Sequence, residues 1–362
     1  MSAQSASPAL LRAVAVSGDA DVVEGPLHGY HHETYVFPLP GGAEAAGQVR
    51  WKCREPRPDL LWFDRRCFAS EEQLLRSLEG RIDGIPELIE AGSARLQRFV
   101  EGHTLGRLYG SGTEVPEPLV RQVIALFGQL AAIRPGSLSA ERTCEPADRA
   151  TEADSSGFLE RLVLFTEERV YRQNLPRFAG LFRDLGLDED SFKKLRKRVS
   201  GLTERPFCLL HADLHRENFV VDAENRLWTI DWELAMFGDP LYDLATHLYL
   251  MRYPADQERR VVRRWREVVD GVTPRSSAGY ADDLPKLLAY KRAQSVFTDV
   301  IRTALTLTPG PASGPVTDRE SLDRAGRRIE KVLIAAEGPL EIDRTPVTQD
   351  IVLALEKWCR GA

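Results

Sequence analysis

Cysteine is scarce in this chain, with five in 362 residues, at Cys53, Cys67, Cys144, Cys208 and Cys359. They are scattered and odd in number, and no CxxC spacing occurs, so neither a disulfide framework nor a zinc site is indicated. Long apolar runs are missing as well, and nothing approaches a membrane span. Met1 to Pro8 is small and polar, without a basic region or an apolar core. No secretory signal is therefore expected, and the cytoplasm is the expected compartment. A basic excess is also lacking: 48 Lys and Arg stand against 54 Asp and Glu, a net charge of −6. That argues against a nucleic-acid partner, whose phosphates require a basic face. No internal repeat, heptad run or extended low-complexity tract is apparent. What remains is an ordinary globular composition, 43% hydrophobic and 28% charged, in a chain long enough for two lobes.

The most informative stretch runs from Leu209 to Glu233. An apolar run leads into a polar loop, His211-Ala212-Asp213-Leu214-His215-Arg216-Glu217-Asn218. A second apolar strand follows a turn at Asp222 to Asn225 and delivers Asp231 at its end. The pattern is a β-hairpin that presents two carboxylates and a carboxamide at one edge. Such oxygen ligands suit Mg²⁺, which takes one or two carboxylates plus phosphate oxygens and water. The Asp-x4-Asn spacing matches a phosphoryl-transfer loop in which the Asp receives the hydroxyl proton and the Asn holds metal. Asp213 is thus expected to be the base, with Asn218 and Asp231 as metal ligands.

His211 to Asn218 resembles the HGDLHxxN loop of the aminoglycoside phosphotransferase and choline kinase-like small-molecule kinases. Ile230-Asp231-Trp232-Glu233 resembles their IDWE metal segment, and Gly238 to Ala245 resembles their GDPxYDLA segment. The resemblance covers roughly residues 20 to 250. It implies an α+β, bilobal protein kinase-like fold, with a small antiparallel sheet in the N-lobe and a mostly helical C-lobe. The implied partners are a nucleoside triphosphate, ATP or GTP, a hydroxyl-bearing small molecule, and Mg²⁺. Asp243 resembles the family acid that supports the catalytic loop from behind. His211 is expected to brace that loop, and His215 to stand nearer the substrate.

Taken in order, residues 1–20 read as a flexible start and a short helix, 21–101 as the nucleotide-binding lobe, and 102–362 as the catalytic, substrate-binding lobe. Thr34 to Phe37 and Gln48 to Lys52 read as strands. The turn Leu27 to Glu33 occupies the place of a phosphate loop, yet holds one glycine, Gly29. His28, His31 and His32 read either as metal ligands or as a polar turn that touches phosphate or faces water, Gly29 and His32 being the candidate phosphate contacts. Lys52 lies in the alternation Val49 to Cys53 and resembles the strand lysine that reaches the α- and β-phosphates. Ser70 is a plausible N-cap before Glu71 and Glu72. Glu71 shares the inward stripe with Leu75 and Leu78 and is the expected partner of Lys52. The strand Ser93 to Val100 carries, by the resemblance, the backbone that recognises the base, with Gln97, Phe99 and Val100 as contacts.

Beyond residue 117, Leu119, Val123, Leu126, Phe127 and Leu130 make one helical face. Pro135 to Asp154 reads as a loop, and a helix is expected from Gly157 to about Tyr171. From Glu141 to Glu168 eight acids face three arginines, either an acidic substrate pocket or a solvated face. Residues 257–362 are helical by periodicity, broken near Val272 to Pro274 and at Thr308 to Pro315. A protein kinase is disfavoured, because only seven residues separate Asp231 from Asp239 and leave no room for an activation segment. The expected activity is O-phosphorylation of a natural product, such as an aminoglycoside-type antibiotic, giving resistance by inactivation. A metabolic kinase of a small alcohol and a non-catalytic nucleotide-binding scaffold are the alternatives. A monomer and a homodimer are both compatible with the sequence.

Overall fold

The computed structural model describes residues 7–27, 32–39, 49–57, 65–92, 94–308 and 318–361. The chain forms two compact units. The first comprises residues 1–143, 213–236 and 250–268, and the second 144–212, 237–249 and 269–362. Contacts do not divide at residue 101, since the segments up to 143 belong with the sheet that precedes them.

The first unit opens with helix α1 (Pro8–Ser17). Ser7 caps it by accepting the Leu10 amide at 3.2 Å, Pro8 supplies a preset φ at its first turn, and Gly18 ends it with a φ of 74°. Strands β1 (Glu24–Leu27), β2 (His32–Pro38) and β3 (Arg50–Pro56) follow, then α2 (Glu71–Leu78), β4 (Leu88–Ala91) and β5 (Ala94–Arg98). Together the strands make an antiparallel sheet in the order β1-β2-β3-β5-β4. Alternation gives the sheet two distinct faces. Tyr35, Phe37, Trp51, Cys53 and Leu96 pack on Ala9 and Ala13 of α1. Val36, Lys52 and Gln97, paired across the ladder, share the opposite face with Arg54. Burying Phe37 alone, with no exposed surface left, is worth roughly 2 kcal/mol.

Past β5 the chain turns at Gly102 (φ 147°), where a Cβ would meet the Val221 carbonyl oxygen at 2.2 Å. Close approach and backbone angle together require glycine there. β6 (His103–Thr104), α3 (Leu105–Leu108) and α4 (Glu117–Ala132) complete this part. The expected apolar face of α4 is buried throughout.

In the second unit, α5 (Ser155–Phe165) is capped by Asp154, whose side chain accepts the Gly157 amide at 2.7 Å. A π-helical turn, Thr166–Tyr171, continues it, so the helix expected from Gly157 to Tyr171 changes pitch halfway. α6 (Leu175–Asp184), α7 (Asp190–Val199) and β7 (Cys208–Leu210) come next. The basic side chains of α7 stay outward while Phe192 and Leu195 are buried. The chain then returns to the first unit with β8 (Phe219–Val221) and β9 (Leu227–Thr229), which form a sheet ordered β6-β8-β9. β10 (Met236–Gly238) pairs with β7. The run before His211 therefore does not join the β8–β9 hairpin.

α8 (Pro240–Met251), α9 (Ala255–Val272), α10 (Tyr280–Thr306), α11 (Arg319–Leu340) and α12 (Thr348–Gly361) end the chain. In the second unit, Tyr171, Phe182, Phe192 and Phe297 form an aromatic core, Phe192 stacking on Phe297 at 4.6 Å. Arg205, fully buried, is held by Asp239 (2.7 Å) and Asp283 (2.8 Å). All five cysteines are buried and none is in a disulfide. Among the described residues no helix is long and apolar enough to cross a membrane.

Candidate active site

The β8–β9 hairpin sets the site's geometry. Its turn is locked by Asp222, which accepts the amides of Glu224 (3.0 Å) and Arg226 (2.8 Å) and the Trp228 indole N–H (2.8 Å). Phe219 pairs with Thr229, and the ladder is extended by the Ile230 amide donating to the Asn218 carbonyl at 3.0 Å. Asn218 and Asp231 therefore come to the same open end of the hairpin. Asn218 Nδ2 donates to both the carbonyl (2.9 Å) and Oδ2 (3.1 Å) of Asp213. His215 Nε2 stands 3.3 Å from the same Oδ2.

The His215 ring is oriented from both sides. Its Nδ1 accepts the Glu217 amide at 3.1 Å, which places the ring proton on Nε2, toward Asp213. Burial disfavours the charged ring, but the hydrogen bond to Asp213 and the charges of Asp213, Asp231 and Glu217 hold its pKa above the ordinary value. Protonation would cost the Glu217 contact.

Asp231 adopts left-handed backbone angles (φ 64°, ψ 66°), unusual for a side-chain-bearing residue. Among the described residues its carboxylate has no hydrogen-bond or ion-pair partner, and Asn218 Oδ1 is likewise unengaged. One free carboxylate and one free amide oxygen at a hairpin end fit a Mg²⁺ that completes its shell with phosphate and water. The described residues contain no group of three or more His, Cys, Asp or Glu that could hold a metal on its own.

Lys52, on the β3 face shared with Gln97, is half-buried. Burial, with the Arg54 charge adding to it, pushes its ammonium pKa down against the pull of Glu71, Asp231 and Glu233. The expected Lys52–Glu71 pair is not what forms. Glu71 Oε2 takes Arg54 Nη2 instead, and Glu71 Oε1 accepts the Trp232 amide at 2.7 Å. Lys52 and Arg54 point the same way because strand side chains repeat every two residues, and the longer, forked side chain reaches the acid. Arg54 also pairs with Glu233 at 2.8 Å, as do His32 at 3.0 Å and Arg66. Burial pushes the Glu233 carboxyl up to about 7, with the Asp231 and Glu71 charges adding and Arg54 and Arg66 opposing.

At the edge expected to meet the base, the Phe99 amide donates to the Arg50 carbonyl at 2.9 Å and is spent. The Phe99 carbonyl and both backbone groups of Val100 have no backbone partner among the described residues. Both residues line a cavity of about 350 Å³ with Arg50, Glu101, Asp222 and Trp228. Gln97 is 5% exposed, and its Nε2 has no hydrogen-bond acceptor among the described residues. His28, Gly29 and His31 lie outside the described residues; His32 turns toward Glu233.

His211 belongs to the second unit and is fully buried. There the Asp243 carboxylate accepts the amides of His211 (3.1 Å) and Ala212 (2.7 Å), the latter with a φ of 64°. The acids of the 141–168 stretch are partly neutralised: Glu167 meets Arg172 (2.8 Å) and Arg196 (2.7 Å), and Glu160 meets Arg196 (2.8 Å).

The sequence reading missed two arginines. Arg54 was visible only as a second cation on the lysine's face of β3. Arg216, in the loop from His211 to Asn218, is 5% exposed and donates to three carbonyls, of Tyr109 (2.8 Å), Thr113 (2.9 Å) and Met251 (2.9 Å). No local signal marks it, since its neighbours His215 and Glu217 are polar as well.

The sequence pattern of the phosphotransferase enzyme family (APH) matches residues 46–280. No curated protein matches the chain. Its fold is similar to that of macrolide 2'-phosphotransferase MphH from Brachybacterium faecium, at 18% identity and a TM-score of 0.52, covering 89% of this chain and 97% of the other. It is similar to a choline/ethanolamine kinase family protein from Mesorhizobium loti, at 15% and 0.51, covering 92% of each. An ethanolamine kinase from Plasmodium vivax aligns at 11% and 0.54, covering 89% of this chain and 85% of that one. At these identities the likeness is one of fold, and it agrees with the α+β, protein kinase-like architecture.

Proposed function

We infer, since the chain belongs to the phosphotransferase enzyme family, that it transfers the γ-phosphoryl group of ATP or GTP to a hydroxyl of a small molecule. The observation that carries this reading is the hairpin end, where Asp213 is fixed by Asn218 while Asp231 and Asn218 Oδ1 stay unengaged. Asp213 Oδ1 accepts the acceptor hydroxyl's proton as that oxygen attacks. Asn218 and His215 hold the carboxylate by its other oxygen, so the reacting one is aimed without being consumed. His211 and Asp243 brace the start of the loop through its backbone. Asn218 and Asp231 would hold Mg²⁺, which when bound would neutralise negative charge on the nucleotide's phosphates. Lys52 meets the α- and β-phosphates, His32 and Gly29 belong to the phosphate-loop turn, and Glu71 orders the metal loop. Gln97, Phe99 and Val100 meet the base, Phe99 through its carbonyl.

For the acceptor we favour a hydroxylated natural product of the antibiotic type, with inactivation as the consequence. The chain's structural similarity to a macrolide phosphotransferase supports that reading. Arginines on Glu160 and Glu167 leave fewer free carboxylates for a polycation, which favours neutral or singly charged acceptors over aminoglycosides. A small amino alcohol is the second reading, supported by the likeness to ethanolamine kinase. The test is nucleoside-diphosphate release with ATP and GTP in Mg²⁺ against macrolides, aminoglycosides, nucleoside antibiotics, choline and ethanolamine. One acceptor should stimulate release, and Asp213→Asn should lower it by roughly 10²–10⁴-fold. Stimulated release that survives Asp213→Asn would sink the assignment of the base.

A further inference from the structure

We propose that Arg54 is the positioning residue that sets the conformation of the Asp231 loop, leaving Lys52 free of a carboxylate so that it can meet phosphate. The inference rests on the kinase reading above and deepens it. Three residues flanking Asp231 are fixed: Ile230, Trp232 and Glu233. On one side the Ile230 amide donates to the Asn218 carbonyl at 3.0 Å. On the other, the Trp232 amide donates to Glu71 Oε1 at 2.7 Å, and the Glu233 carboxylate lies 2.8 Å from Arg54 Nη1. Glu71 is itself held at its second oxygen by Arg54 Nη2. A single guanidinium thus reaches residue 232 through Glu71 and residue 233 directly. Between these anchors Asp231 keeps its left-handed angles, a conformation that a non-glycine residue retains only when its surroundings dictate it.

The fork is what makes this possible. Nη1 and Nη2 diverge in a fixed plane and can serve two carboxylates from different segments, α2 and the metal loop. An ammonium at the same place is one point charge on a flexible stem and would choose between them. His32 and Arg66 also touch Glu233, but among the described residues Arg54 is the one that pairs with both acids. Lys52, on the same face of β3, forms no ion pair among the described residues. The division of labour between the two cations follows from their positions two residues apart.

The test uses the full chain, with Mn²⁺ as the metal probe and ADP as the nucleotide. Mn²⁺ affinity in the presence of ADP is read by electron paramagnetic resonance, and ADP affinity in EDTA by calorimetry. Arg54→Lys and Glu71→Gln should each weaken Mn²⁺ binding by roughly 10–100-fold, the range seen when a group that orients a metal ligand is lost. ADP affinity in EDTA, the acceptor KM and the unfolding midpoint of Arg54→Lys should stay near wild type, while kcat falls. A merely structural role would move the midpoint and leave the Mn²⁺ affinity of the folded fraction alone. Wild-type Mn²⁺ affinity in Arg54→Lys overturns the proposal, as does an equal loss of metal-free ADP binding. Wild-type protein that binds no Mn²⁺ with ADP, or Asp231→Asn that binds it normally, overturns the kinase reading itself and with it this proposal.

Discussion

Replacing Arg216 by Met would test how the loop that carries Asp213 is held. The guanidinium lies in the middle of the segment from Asp213 to Asn218 and donates to the carbonyls of Tyr109, Thr113 and Met251, while the ring of Tyr253 lies 5.8 Å from its centre. Hydrogen bonds from a charged donor are worth about 1.5–3 kcal/mol each, so three sum to roughly 4.5–9 kcal/mol. Against this stands the burial of a cation that forms no ion pair among the described residues, which costs several kcal/mol; the same burial lowers the Arg216 pKa. Methionine removes both terms and fills much of the volume. It leaves three inward carbonyls without donors, so the net loss should be about 2–4 kcal/mol. With a urea dependence near 3 kcal/mol/M, the unfolding midpoint falls by about 1 M. Turnover should drop on the order of 10²-fold under conditions where the variant stays folded, because small displacements of a base are costly. Arg216→Lys keeps the charge but reaches fewer carbonyls, and should fall between. An unchanged midpoint in Arg216→Met, or full recovery in Arg216→Lys, refutes the reasoning.

In the second unit, Asp243→Asn leaves one of the two loop amides without its acceptor and should lower stability by about 1–3 kcal/mol, read by thermal melting; a stability equal to wild type contradicts the bracing role. Arg205→Met strands two buried carboxylates and should cost about 3–5 kcal/mol at pH 7. That cost should shrink in acid. Burial raises the Asp283 pKa, but hydrogen bonds from Arg205 and the Thr203 amide outweigh it and hold the carboxyl below its ordinary value. Its stabilising contribution is then complete above the unfolded-state value near pH 4 and is lost as pH falls through the folded one. Urea titrations from pH 7 to 3 check this, and a constant gap between wild type and variant counts against it.

The features legible in the sequence were those with local causes. The hairpin turn at Asp222, the Ser70 cap of α2 and the apolar stripe of α4 each follow from neighbouring residues, and each is present. The partner of Glu71 was not legible, since Lys52 and Arg54 occupy equivalent strand positions and only the distance to α2 separates them. β7 and β10 are three residues each and pair across a long sequence separation, beyond the reach of periodicity. The acidic excess of 141–168 is legible in the sequence, but the arginines that neutralise part of it, Arg172 and Arg196, lie outside that stretch.

The buried cysteines offer a clock for local opening. A thiol reacts as thiolate, so a residue sealed from solvent is alkylated only when its surroundings come apart. Cys53, whose thiol donates to the Ala9 carbonyl at 3.6 Å and whose pKa burial pushes up to about 11, is silent until α1 lifts from the sheet. Cys67 belongs to the same unit, whereas Cys144, Cys208 and Cys359 belong to the other. The rate at which each sulfur is labelled therefore separates the opening of one unit from that of the other, residue by residue, without any introduced probe.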